Sequence, residues 1–198
     1  MPFMAAADVS PAPAVAALAE SLLGGSSLCL PMTYEEYQAL GETRHDEYYD
    51  GLVFMNPPTG HHVRVARRLT RILEDACPPG HEVAPEWGWQ TAPQVVFRPD
   101  IMVCTPWPRH ARLLEYPPLL VVQVLSPSTR VEDWGRKRRL YALGGAAWYW
   151  IVDPDAEEVT VMANVDGDFS VVHRLSKGSA QHLDEPFPVT VDLAALFA

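Results

Sequence analysis

Apolar residues recur at two periods along this chain, and each period predicts its own kind of element. From Gly60 to Ala76, Val63, Ala66, Leu69, Ile72 and Leu73 repeat at helical spacing with arginines mostly between them, which predicts a helix stopped by Pro78-Pro79-Gly80. Thr33 followed by Glu36 makes a capping box, so a shorter helix is predicted from Tyr34 to about Leu40. A third helix is predicted from a cap at Ser128 or Thr129 through about Leu143, stopped by Gly144-Gly145, and a short fourth over Val191 to Phe197. Strand patterns fill the remainder. They cover Glu47 to Asn56, as a strand or hairpin turning at Asp50-Gly51, then His81 to Gln90, Gln94 to Phe97, Ile101 to Cys104 and Leu119 to Leu125. Ala147 to Val152, Val159 to Met162 and Phe169 to Leu175 follow. Helices alternating with runs of strands predict an α/β or α+β fold: a mixed β-sheet flanked by helices, with extra antiparallel strands at the C-terminus. Residues 1–29, rich in Ala and Pro, are expected to be a partly disordered arm or short helix, and residues 30–198 a single domain.

Charge narrows the range of partners. A formal net charge of -10 argues against a broad polyanion-binding surface, yet arginines cluster from Arg64 to Arg71 and again from Arg130 to Arg139. The ordinary reading of such clusters is a solvated helix face, and a local basic groove is the functional one. Cys29, Cys77 and Cys104 form no CxxC pair, which leaves neither a disulfide framework nor a zinc site and fits a reducing cytoplasm. No apolar run approaches the roughly 18 residues of a membrane span, so a soluble cytoplasmic protein is expected. GxGxxG, P-loop, HExxH and GxSxG patterns are absent, and nucleotide-cofactor, zincin and α/β-hydrolase chemistry lack support.

The stretch from Phe97 to Arg139 holds the candidate chemistry. Asp100 follows Pro99 at the mouth of an apolar strand, where a carboxylate is costly unless a cation or hydrogen-bond donors meet it. Gln123 interrupts LLVVQVL, and strand alternation places it on one face with Leu119, Val121 and Leu125. It reads either as a satisfied core amide or as a neutral oxygen ligand. A cation from DWGRKRR could reach the strand ends, but spacing does not choose among Arg136, Lys137 and Arg138. Glu47 before the Asp50-Gly51 turn and His62 at a helix start are further candidates, as a carboxylate ligand and as a phosphate or proton carrier.

Together, Glu47-Tyr48-Tyr49-Asp50-Gly51, His62, Arg98-Pro99-Asp100-Ile101, VVQVLSPST from Val121, Asp133 with Lys137, Tyr141 and Tyr149-Trp150-Ile151-Val152-Asp153-Pro154 carry a resemblance. Over roughly Met32 to Met162, the chain resembles the Uma-two family of restriction-endonuclease-like proteins. The resemblance implies a PD-(D/E)XK nuclease fold with a divalent metal at the strand ends. It implies Asp100 as central metal ligand, Glu47 as the acidic residue from an earlier segment, and Lys137 as catalytic lysine displaced onto the following helix. Gln123 stands where the family usually has glutamate, which weakens the ligand set.

The leading expectation is therefore a Mg2+- or Mn2+-dependent endonuclease cutting DNA. Asp100, Gln123 and Glu47 surround the metal, Lys137 acts on the attacking water, and His62, Arg64, Arg68, Ser126, Ser128 and Arg130 contact phosphate. By analogy with nucleases that cut both strands, a homodimer is expected. The rival is a catalytically inactive protein of the same fold that binds nucleic acid or a protein partner. A hydrolase of a small phosphorylated substrate is a third reading, separable from DNA binding by its weaker salt dependence.

Overall fold

The computed structural model describes residues 28–40, 46–56, 58–176, 178 and 180–198. Its elements begin with β1 (Leu28–Pro31), α1 (Tyr34–Ala39), β2 (Asp46–Tyr49), β3 (Leu52–Met55) and α2 (Gly60–Ala76). Next come β4 (Glu82–Pro85), β5 (Trp89–Ala92), β6 (Val95–Phe97), β7 (Ile101–Cys104) and β8 (Leu120–Val124). One helical run then holds α3 (Arg130–Glu132), a π-helical stretch (Asp133–Lys137) and α4 (Arg138–Leu143). The chain closes with β9 (Trp148–Asp153), β10 (Glu158–Val165), β11 (Asp168–Leu175), β12 (Gln181–Leu183), β13 (Val189–Val191) and α5 (Leu193–Phe197).

Two sheets organise the fold. The larger has the order β11-β10-β9-β8-β7-β4, and only β8 with β9 is parallel in it. Its central strands β7, β8 and β9 are buried on both faces and so read as continuous apolar runs rather than as alternation, while the edge strand β11 is mostly exposed. On one face Ile101, Val103, Val122, Val124, Trp150 and Val152 pack on Val65, Leu69 and Leu73 of α2. Met102, Val121, Tyr149 and Ile151 face the other way and meet Tyr141 of α4 with Trp89 and Phe97 of the smaller sheet. That smaller sheet is antiparallel, in the order β1-β3-β2-β6-β5.

Local chemistry explains where elements start and turn. Thr33 Oγ1 accepts from the Glu36 N–H at 3.2 Å while Glu36 Oε2 accepts from the Thr33 N–H at 2.8 Å, the reciprocal box expected from the sequence. At the β2–β3 turn Asp50 and Gly51 have φ of 54° and 73°, the left-handed pair that a two-residue hairpin requires. Helix α2 has the predicted bounds, but Val65 is buried where Val63 was expected, and Val63 is exposed.

Several expectations are corrected. The predicted strand from His81 to Gln90 is two strands in different sheets, β4 beside β7 and β5 beside β6. The chain changes sheet at Glu86, whose φ of 49° bends it out of the extended form. Thr129 makes no side-chain cap; the carbonyl of Ser126 accepts from the N–H groups of Thr129 and Arg130 at 3.2 and 3.1 Å instead. The following helix is not α throughout, because its middle widens into the π-helical stretch. Leu119 lies ahead of β8 and packs with the opposite core from Val121. Val191 belongs to the β12–β13 hairpin, and the terminal helix starts after Asp192, which caps it by accepting from the Ala195 N–H at 3.1 Å. Leu28 and Cys29 belong to β1, and the remainder of the arm expected over residues 1–29 lies outside the described residues. Among the described residues no helix is long and apolar enough to cross a membrane.

Candidate functional site

The ends of β7 and β8, the start of β2, the first turn of α2 and the π-helical stretch open on one pocket, lined by Glu47, His62, Asp100, Gln123, Asp133 and Lys137 among others. Pro99 and the entry to β7 hold Asp100 there. Its Oδ2 accepts from the Val124 N–H at 2.7 Å and lies 3.2 Å from Nε2 of His62. Thr59 caps α2 through the His62 N–H at 3.3 Å, which fixes the histidine in the first turn. Burial alone would depress the His62 pKa, but the hydrogen bond and charge of Asp100, helped by Asp133 and Glu86, turn the net shift upward.

Glu47 is buried on β2, where its Oε1 accepts from the Arg98 N–H at 3.2 Å and from Nζ of Lys137 at 2.9 Å. Lys137 is equally buried and lies 3.5 Å from Asp133, four residues back. Desolvation pulls its pKa down, yet Glu47 and then Asp133 outweigh it and raise the pKa above the ordinary lysine value, so Lys137 is a fixed cation. The structure chooses among the three neighbouring cations. Arg136 turns out to Asp50 at 2.8 Å and over the Tyr49 ring, while Arg138 pairs with Asp168 at 2.9 Å.

Asp133, which the sequence offered only as a partner of Lys137 in the resemblance and without a role, is the most enclosed acid of the pocket. It is 1% exposed, and the groups that meet its carboxylate are the Thr129 hydroxyl and, at 3.5 Å, Nζ of Lys137. Burial is the main cause that pushes its pKa from 3.8 to about 6; Lys137 and the Thr129 hydroxyl oppose that push, and Asp100 and Glu47 reinforce it. Its four-residue spacing from Lys137 was the available signal. Because the native state holds this proton more tightly than the unfolded chain, Asp133 costs stability as pH rises from about 4 to about 6, and the cost is constant above that. Asp133→Asn should therefore gain on the wild type by about 2–3 kcal/mol across that window, at roughly 1.4 kcal/mol per pKa unit. Urea unfolding at stepped pH measures this, and a pH-independent difference would contradict it.

Gln123 is 3% exposed, and its Nε2 donates to the Tyr141 hydroxyl at 2.9 Å, which meets one demand of a buried amide. Ser126 and Arg98 also line the pocket. Arg98 further reaches Asp46, its Nε 3.0 Å from the backbone carbonyl and 3.3 Å from Oδ1. Arg64, Arg68, Ser128 and Arg130 do not line it. Arg64 is exposed on α2, Arg68 donates to the Leu196 carbonyl at 3.2 Å, and Ser128 shares a hydrogen bond with Ser126 at 3.1 Å. Arg130 grips Asp153 with two hydrogen bonds, at 2.7 and 3.0 Å.

The polar donors here are chiefly oxygens: the Asp100, Glu47 and Asp133 carboxylates and the Gln123 amide. Among the described residues no group of three or more His, Cys, Asp or Glu side chains closes into a cage for a metal ion. A hard divalent cation such as Mg2+ needs no such cage, because it binds through one or two carboxylates and keeps water and substrate oxygens as its other ligands. The residues present fit that kind of site and not a thiolate site.

Comparison with known proteins gives the family and the fold. Residues 33–195 match the family model "Uma2: Putative restriction endonuclease". No curated protein matches the chain. Among solved structures, the chain is similar to the crystal structure of "a putative nuclease belonging to DUF820" from Anabaena variabilis ATCC 29413. The two share 20% identity and a TM-score of 0.67, over 84% of this chain and 98% of that one. At such identity the likeness carries the fold, an α+β nuclease-like arrangement around a mixed sheet. The family match itself spans most of the sequence, and the chain belongs to the Uma2 family.

Proposed function

We propose that this pocket hydrolyses phosphodiester bonds in DNA with the help of a divalent cation, Mg2+ or Mn2+. One observation carries the reading: Glu47, Asp100, Gln123 and Lys137, from four separate stretches of sequence, converge on one pocket. Asp100, the Gln123 carbonyl and Glu47 would hold the cation. When bound, it neutralises phosphoryl charge and makes water more acidic.

The protein's own groups divide the remaining work. Val124 and His62 fix one oxygen of Asp100, which orients the carboxylate before any ligand arrives. Lys137 stays protonated at neutral pH, so it serves as a charge and hydrogen-bond donor toward the attacking water or the phosphate, and not as a base. Asp133, whose pKa burial pushes up to about 6, is the residue suited to take up a proton. Supercoiled plasmid should be nicked or linearised in Mg2+ or Mn2+ and left intact when EDTA removes the metal. Cleavage that persists in excess EDTA would sink the cation's part in this reading.

A second reading has its own observation. Glu47 is already paired with Lys137, Asp100 with His62, and glutamine stands at position 123, so the pocket is also a self-contained charge network. A non-catalytic DNA-binding protein of the same fold would show salt-dependent binding and no cleavage under either metal.

A further inference from the structure

Beside the carboxylate pocket lies a second, larger cleft of about 1180 Å³, and Arg98 and Glu86 line both. Its walls are aromatic. Trp87 and Trp107 lie with ring centroids 4.3 Å apart and planes tilted by 39°, and both are only half-buried. Tyr34, Tyr37 and Tyr116 continue the lining.

The wall that carries Trp107 is held in place. The Tyr116 hydroxyl donates to the carbonyls of Thr105 at 2.8 Å and Pro106 at 3.2 Å, closing residues 105–116 into a loop on its own stem. Leu114 donates to the Gly88 carbonyl at 2.8 Å, and the Gln90 N–H donates to Leu114 at 2.9 Å, which ties the loop to β5. Gly88 permits the approach, since a Cβ there would lie 2.5 Å from Cδ2 of Leu113. Trp107 therefore stands on a fixed support that leaves part of its ring exposed. Arg98 and Arg112 add positive charge to the lining, and Glu86 and Glu115 add negative charge.

Half-buried aromatic faces with arginine side chains nearby are what unpaired bases require, because every base has a face to stack, and Arg98 and Arg112 are the cations within reach of these rings. We propose that this cleft takes the unpaired bases of a DNA strand whose phosphate occupies the carboxylate pocket, so that single-stranded or frayed DNA is preferred to intact duplex. The proposal rests on the nuclease reading of the neighbouring pocket for that phosphate, and on the continuity of the two cavities through Arg98.

The test measures binding by fluorescence anisotropy in EDTA, where cleavage plays no part. The full chain is titrated with a labelled single-stranded oligonucleotide, its duplex, and an abasic oligomer of equal length and charge. The base-bearing single strand should bind about tenfold more tightly than the abasic one, the scale of one stacked base. Trp107→Ala should erase that difference with the abasic affinity unchanged, which doubles as the control for folding, and Trp107→Phe should retain most of it. Equal affinity for base-bearing and abasic strands, preference for duplex, or an equal loss on all three probes in Trp107→Ala would overturn the proposal. The two readings fail separately. Base-dependent binding without plasmid cleavage would remove the nuclease and leave the cleft, whereas cleavage without base-dependent binding would do the reverse.

Discussion

Lys137→Met should lower folding stability by about 3–5 kcal/mol, because it removes one partner of a buried ion pair and strands the others. Glu47 would keep only the Arg98 N–H, and the buried Asp133 would lose its nearest cation. Methionine fills much of the volume, so the loss reports charge more than cavity. The native Lys137 pKa is raised above the ordinary 10.5, so its contribution is fully present through the neutral range and is lost only as pH rises through that elevated native value. A double-mutant cycle isolates the pair: Lys137→Met with Glu47→Gln should cost less than the two single losses together. Urea unfolding supplies the numbers. A single-variant loss under about 1 kcal/mol would show that the pair behaves as an exposed one. The same variant should abolish plasmid cleavage, since the fixed charge beside the reacting phosphate is gone.

How much of this was legible in the sequence depends on whether the signal was local. The capping box at Thr33, the Asp50-Gly51 hairpin and helix α2 rest on neighbours within a few residues, and the structure repeats them. The sheet change between Pro85 and Trp89 is set by pairing partners far away in sequence, β7 for one strand and β6 for the other, so a continuous run of strand-like residues concealed it. The π-helical stretch was hidden for a related reason. Periodicity marks DWGRKRR as helical, but only the burial of both Asp133 and Lys137 in one pocket shows what the widened turn serves.

The site followed the same division. Asp100 and Gln123 were visible as polar residues out of place in apolar strands, Glu47 was a candidate from its place before a turn, and the resemblance chose Lys137 among three cations. Asp133 was named with Lys137 in the resemblance but given no role, because an acid beside arginines on a helix looks like a solvated charge until its burial is known. Arg68 and Arg130 stood in basic clusters, but Arg68 bonds to a carbonyl of the last helix and Arg130 to the carboxylate that ends β9. Neither engagement leaves a trace in spacing.

The central claim is that Asp100 and its neighbours form a metal-assisted nuclease site weakened by glutamine at position 123. Removing the Asp100 carboxylate should lower cleavage by on the order of a hundredfold to a thousandfold, the scale of losing one well-placed group for developing charge. Gln123→Glu adds an anionic oxygen to the pocket. It should lower the Mg2+ concentration needed for half-maximal cleavage by roughly tenfold, since charge count tunes affinity for hard cations. Without metal the added carboxylate joins Glu47, Asp100 and Asp133 in a buried place, so this variant should melt lower in EDTA and recover in Mg2+.

The most direct measurement is the rate of supercoiled plasmid cleavage in Mg2+ and then Mn2+, for the wild type beside Asp100→Ala and Gln123→Glu. Cleavage by the wild type that is lost in Asp100→Ala and raised in Gln123→Glu is the predicted result. Silence of all three under both metals, or full activity in Asp100→Ala, would contradict it.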